Sequence, residues 1–151
     1  MNKKLFVDSD IILDLLAERP LFYDDAAKIF SWAYKKKIEL YTTAVVLANV
    51  FYILRKVNGN ERSKGQIKDL RLLVKILPIN ENTVDMALSS KFEDFEDGLQ
   101  YYAAREQNLF GIITRNIHDY RVKDIVIQTS KEFVKINTEL FDDKEKNRVV
   151  Q

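Results

Sequence analysis

The chain has 151 residues, with Lys+Arg 24 against Asp+Glu 23, no cysteine and a single histidine. That length suits one domain, and a hydrophobic fraction of 46% with Phe 9, Tyr 7 and Trp 1 provides for a core and excludes a disordered chain. The missing cysteine excludes disulfides, thiolate metal sites and a Cys nucleophile, and any Ser-His-Asp triad would depend on His118 alone. A formal net charge of +1, taken as a total, argues against a nucleic-acid partner.

In chain order, Leu5–Val7 is a short apolar strand ending in Asp8-Ser9-Asp10, and Ile11–Ala17 begins a helix that Pro20 stops. Phe22–Lys37 carries Ala26, Ile29, Phe30 and Ala33 at helical spacing, and Glu39–Thr42 is a second strand. Thr43 caps a long apolar helix that ends at Asn58-Gly59-Asn60. Arg62–Lys75 shows one helical stripe, and Ile76–Ile79 is a strand whose Pro78 puts it near an edge or a strand end. Asn82 or Thr83 caps the next helix, and Asp94 opens another that runs to Gln107. Phe110–Thr114 and Ile125–Gln128 complete the strands, Ser130–Ile136 forms a last short helix, and 138–151 is a polar tail. Strands alternating with helices predict an α/β fold, a mostly parallel sheet covered on both faces, with the domain ending at 137.

Leu5–Val7 falls short of the roughly 7–15 apolar residues of a signal peptide. Ala44–Leu54, interrupted by Asn49, falls short of the roughly 20 that span a bilayer. The expectation is a soluble cytoplasmic protein with no membrane partner.

Ligands of open α/β sheets gather at the carboxyl ends of the strands, and here the polar residues after the strands are mainly acidic. Asp8 and Asp10 follow the first strand; Arg115, Asn116 and Asp119 follow the strand at 110–114; Glu93, Asp94, Glu96 and Asp97 open the helix between. Taken singly, Asp10 and Asp94 suit helix caps, Asn116 and Asp119 suit a turn, and His118 suits an exposed turn position. Asp8 does not fit so readily, because an acid placed directly after a buried run needs a partner. Converging carboxylates repel one another, and a hard divalent ion such as Mg²⁺ or Mn²⁺ removes that conflict. Such an ion activates water and stabilises phosphoryl charge without a histidine base, so metal-assisted phosphodiester cleavage is the expected chemistry.

Residues 4–137 resemble the PIN domain family. Leu5-Phe6-Val7-Asp8-Ser9-Asp10 with the apolar residues after it is similar to the family's opening motif. Asp94-Phe95-Glu96-Asp97-Gly98-Leu99 resembles its third motif, and Ile112-Ile113-Thr114-Arg115-Asn116-Ile117-His118-Asp119 its fourth. The resemblance implies a three-layer PIN-like fold and a Mg²⁺- or Mn²⁺-dependent ribonuclease leaving 5′-phosphate and 3′-hydroxyl ends, of the VapC-like toxin type with an antitoxin partner. It implies Asp8 and Asp97 as the central metal ligands, with Asp119 and Asp94 adding carboxylates, Asn116 in the catalytic set, and Asp10, Asn49 and Thr114 in support. Two positions depart from the pattern: Asn49 stands where the second motif usually has Glu, and Asn116 where the fourth often has an acid. A weakly active or inactive PIN-like module that binds RNA or protein is therefore an alternative. The haloacid dehalogenase phosphatases also share Asp8-x-Asp10, but Ile12 stands where they have Thr or Val, and no lysine lies between Lys91 and Lys123.

Divided by segment, the charge no longer excludes RNA. Residues 28–75 hold 11 basic and 3 acidic side chains, whereas 76–99 hold 1 and 6. Lys35, Lys36, Lys37, Arg55 and Lys56, with Arg115, are thus the expected phosphate contacts. The apolar helices at 22–37 and 44–54 also offer stripes to a partner segment or a second copy, although both suit the core.

Overall fold

The computed structural model describes residues 2–142. Its five strands are β1 (Lys3–Val7), β2 (Ile38–Thr43), β3 (Val74–Leu77), β4 (Gly111–Ile113) and β5 (Val126–Gln128). They form one sheet in the order β3-β2-β1-β4-β5, and every neighbouring pair is parallel. Parallel strands need crossovers, which the helices supply: α1 (Ser9–Leu16), α2 (Tyr23–Tyr34), α3 (Ala44–Asn58), α4 (Asn60–Leu70), α5 (Glu81–Ser89), α6 (Phe95–Glu106) and α7 (Ser130–Asp142). The expected three-layer α/β arrangement is what the chain adopts.

Central β1 shows why its sequence is a continuous apolar run. With layers on both faces, Leu5, Phe6 and Val7 are all buried, so alternation has no role. Thr43 caps α3 as expected, accepting from the Val46 N–H, and Gly59, at φ +79°, ends that helix in a conformation that disfavours a side chain.

Several boundaries differ from the sequence expectation. The third strand lies at Val74–Leu77 rather than Ile76–Ile79, and α4 closes at Leu70. Pro78 has no N–H for the ladder and follows the last paired residue of this edge strand. Asn80, rather than Asn82 or Thr83, caps α5, and Thr83 completes a reciprocal capping box with it. Asp8 rather than Asp10 caps α1, which starts at Ser9.

The last helix continues to Asp142, past the boundary expected at 137. Its final turn is held by the core: Phe141 packs edge-on against Trp32, and the Trp32 Nε1–H donates to Asp142 Oδ1 at 2.8 Å, with Lys28 paired to the same carboxylate. The remainder of the expected tail, 143–151, lies outside the described residues.

The sheet has little room between β4 and β5. A Cβ added to Gly111 would stand 2.7 Å from the Val126 carbonyl oxygen, a backbone atom that cannot turn aside. Gly111→Ala is expected to destabilise the domain by about 1–3 kcal/mol, read as a lower urea midpoint with an unchanged slope.

Candidate metal centre

The chain runs β1, β2, β3 outward on one side and then crosses to β4 and β5 on the other. The crevice at such a reversal lies outside the carboxyl ends of the two central strands, here β1 and β4. Asp8 leaves β1 at this point and Thr114 leaves β4, and the Thr114 hydroxyl donates to Asp8 Oδ2 at 2.9 Å across the gap. The Ser9 N–H donates to Asp8 Oδ1 at 2.7 Å, so one carboxylate both caps α1 and faces the crevice.

Asp8 is 5% exposed, and no lysine or arginine pairs with it among the described residues. Burial raises its pKa, the Thr114 and Ser9 hydrogen bonds pull it down, and the Asp10 charge raises it further. Asp97, on the first turn of α6, is pushed up to about 7 by burial and then by the charges of Asp94 and Asp8, against the hydrogen bond from Tyr120. Asp119 adds to the same repulsion. These carboxylates stand near enough to repel one another, and among the described residues none of Asp8, Asp94, Asp97 and Asp119 is in an ion pair.

Asp94 accepts from the Glu96 and Asp97 N–H groups and so caps α6, which sets the orientation of the helix that carries Asp97. Asn116 donates from its side chain to Asp10 Oδ2 at 3.2 Å, and its N–H donates to Thr114 Oγ1. Asp119 and His118 lie on a single 3-10 turn (Ile117–Asp119). Both line a cavity of about 740 Å³ with Lys91, Phe92, Asp94, Asp97, Tyr102 and Arg121.

Five residues to which the sequence assigns no role also stand here: Glu96, Gln100, Tyr120, Lys91 and Arg121. Glu96 turns its carboxylate toward α3, where Asn49 Nδ2 donates to Oε1 at 2.8 Å; Gln100 Nε2, one turn along α6, donates to the same oxygen. Gln100 is 1% exposed, and the Tyr120 hydroxyl donates to its Oε1 at 2.7 Å, which fixes which end of the amide faces Glu96. Burial and the charges of Asp8 and Asp97 hold the Tyr120 hydroxyl protonated, so it is a donor at every ordinary pH. Lys91 and Arg121 are the basic side chains of the cavity wall.

The expected phosphate contacts are placed differently. Lys35, Lys36 and Lys37 immediately precede β2, so they lie at the amino end of a parallel sheet whose carboxyl end carries Asp8. At about 3.3 Å per residue, the length of β2 separates them from the acids by roughly 20 Å. Arg55 and Lys56 sit in the last turn of α3 over the Tyr52 ring, beyond the turn that carries Asn49. Arg115 pairs with Asp14 at 3.4 Å and lies 3.8 Å from Asp10, its guanidinium over the Phe22 ring, and so ties the loop after β4 to α1.

A divalent ion fits this donor set. Among the described residues no three His, Cys, Asp or Glu side chains stand close enough to enclose an ion by themselves. Mg²⁺ is commonly held by only one or two carboxylates, with water and substrate oxygens completing the shell. Asp8 and Asp97 meet that requirement with carboxylate oxygens, the donors that hard divalent ions prefer.

An all-parallel sheet with an acidic crevice at its reversal point defines a class, and comparison with known proteins narrows it. The PIN domain sequence profile matches residues 4–118. A curated relative, Ribonuclease VapC1 of Aquifex aeolicus (strain VF5), is 26% identical over 137 residues, covering 87% of this chain and 94% of its own. Among solved structures, VapBC2 from Rickettsia felis, bound to a DNA fragment from its promoter, superposes with a TM-score of 0.66 at 16% identity, over 83% of this chain and 98% of its own. Mycobacterium tuberculosis VapC20, described as a Sarcin-Ricin loop cleaving toxin, gives 0.58 at 16% identity over 72% and 86%. The chain belongs to the PIN domain family.

Proposed function

We propose that the protein is a divalent-metal-dependent endoribonuclease, the toxin of a toxin–antitoxin pair, with Mg²⁺ or Mn²⁺ held by Asp8 and Asp97. The observation that carries the reading is the buried Asp8 carboxylate, without a basic partner among the described residues, at the crevice where Asp97 also gathers negative charge. The relative named a ribonuclease and the VapC20 toxin support RNA as substrate, and the VapBC2 and Klebsiella pneumoniae toxin–antitoxin structures support an antitoxin partner.

Bound at this site, the ion would supply Lewis acidity toward a phosphodiester oxygen and toward water. The protein's own residues do the rest. Thr114 and Ser9 hold Asp8 by both oxygens, and the Asp94 cap and Tyr120 hold Asp97 on α6, so neither acid must reorganise when RNA arrives. Asp119 adds negative charge beside the central pair, and Asn116 anchors Asp10. Lys91 and Arg121 offer phosphate contacts within the cavity, whereas Lys35–Lys37 suit an RNA that extends along the sheet. Cleavage of a mixed RNA pool with Mn²⁺, with chelator, and with Asp8→Asn as control tests the proposal; equal cleavage in all three arms would sink it.

The amides at 49 and 116 favour a second reading, a PIN module that binds without turnover. A protein whose melting temperature is indifferent to Mn²⁺ would support that one, since any ligand of the native state raises it.

A further inference from the structure

The cavity that Asp97 and Asp119 line also has an aromatic wall. Phe92, Tyr101, Tyr102 and Tyr120 form one cluster with Phe92 at its centre: its ring centroid lies 5.2 Å from Tyr101, 6.5 Å from Tyr102 and 5.9 Å from Tyr120. Phe92 is fixed in place, since its N–H donates to Ser90 Oγ and its stretch of chain packs against α6 at Gly98. Tyr101 and Tyr120 are buried, and their hydroxyls are spent inside the protein, on Asp124 at 2.6 Å and on Gln100 Oε1 at 2.7 Å. Tyr102 differs. It is half-buried, it lines the cavity with Phe92, and its hydroxyl has no hydrogen-bond partner among the described residues. Lys91 and Arg121 line the same space, which is therefore aromatic, basic and continuous with the acids of the crevice.

We propose that this cavity is a nucleobase subsite: an unpaired base of the RNA, next to the phosphate that is cut, stacks on Tyr102 and Phe92 while Lys91 and Arg121 hold its backbone. The inference rests on the reading of the protein as a ribonuclease. The occupant follows from the lining. Single-stranded nucleic acid binds where aromatic rings meet basic side chains, because every base offers a flat π face and every nucleotide a charge. A cavity of about 740 Å³ is within the roughly 300–1,000 Å³ that small organic groups fill. A base in a paired stem would first have to leave its stack, so the subsite favours loops and single strands over duplex. Tyr102 is the specificity-determining residue, and Tyr101 and Tyr120 are its buried frame.

The test is single-turnover cleavage, with Mn²⁺, of a short single-stranded RNA that wild type cuts once, and of copies carrying one abasic nucleotide on either side of the cut. At one of these positions the abasic copy should be cut roughly tenfold more slowly by wild type. Tyr102→Leu keeps an apolar side chain against Phe92 but offers no ring. It should cut the parent RNA roughly tenfold more slowly and lose nothing further on that abasic copy. Tyr102→Phe restores the ring and should again distinguish the parent from the abasic copy. Equal cleavage by Tyr102→Leu and wild type, with cleavage lost in Asp8→Asn, would overturn the subsite and leave the nuclease standing. So would wild-type cleavage indifferent to both abasic positions. A Tyr102→Leu protein slowed by one factor on parent and abasic RNA alike, with a lowered melting temperature, would mark the ring as packing for α6 and would also overturn it. No metal-dependent cleavage by wild type, or cleavage that survives Asp8→Asn, would remove the ribonuclease reading on which the subsite stands.

Discussion

Asp97→Asn is expected to abolish metal-dependent RNA cleavage and, in the same protein, to raise the metal-free melting temperature. The two effects have one cause. Burial and the charges of Asp94 and Asp8 push the Asp97 pKa up to about 7, so its ionised form destabilises the metal-free fold. An amide of the same shape keeps the packing and removes the charge. Allowing for solvent screening of a half-buried group, the gain is about 1–2 kcal/mol at pH 8, or roughly 2–8 °C for a domain of this size. Cleavage should fall by at least about a hundredfold, because an ion contributes several kcal/mol to transition-state charge and each 1.36 kcal/mol is tenfold in rate. Differential scanning calorimetry in chelator and a single-turnover cleavage assay measure the two sides. An Asp97→Asn protein that melts lower than wild type would show that the carboxylate is a structural group instead.

The second large effect is on pH. Asp8, Glu96 and Asp97 all have raised pKa values in the folded chain, chiefly from burial. An acid whose folded pKa is raised favours the fold while protonated in both states, and that contribution is lost as pH rises from the unfolded value through the folded one. Metal-free stability should therefore decline from about pH 4 to about pH 7, the upper limit being set by Asp97. Saturating Mn²⁺ should flatten that decline, since the ion binds the ionised carboxylates, and at pH 6 its binding should release protons. Urea midpoints across this range, with and without Mn²⁺, give the first result, and calorimetry in buffers of different ionisation enthalpy gives the second. A metal-free stability that rises over the same interval would contradict the burial-dominated electrostatics of the site.

Much of the site could be read from the sequence, because the signals were local. Asp8 stood directly after a buried apolar run, and the polarity of a parallel sheet then put it at the ligand-binding end. Glu96 was not legible: it adjoins Asp97 on the same turn, and its contact with Asn49 depends on how α3 and α6 approach each other, which no spacing encodes. The placement of the basic residues was hidden for a different reason. Counting charge over 28–75 found the excess but not its direction, and residues just before a parallel strand lie at the end opposite those just after one. The β3 boundary slipped because Leu70, Leu73 and Val74 fit a helical stripe as well as a buried strand, a choice settled by pairing with β2. The register of the last helix was set by Trp32, whose indole N–H needs the acceptor that Asp142 provides.

That indole is the chain's one tryptophan, and its position determines what an optical experiment can see. It lies in the last turn of α2, against Phe133 and Phe141 and just before the lysines at the amino end of the sheet. Its emission therefore follows the seam between α2 and α7, with the length of the sheet between it and Asp8. A fluorescence titration with Mn²⁺ would be quiet even at full occupancy, and a tyrosine signal from 101, 102 or 120 would be needed to follow the ion. Conversely, a label or fusion joined near residue 142 pulls directly on the indole's hydrogen bond and will alter the fluorescence with no change at the acidic crevice.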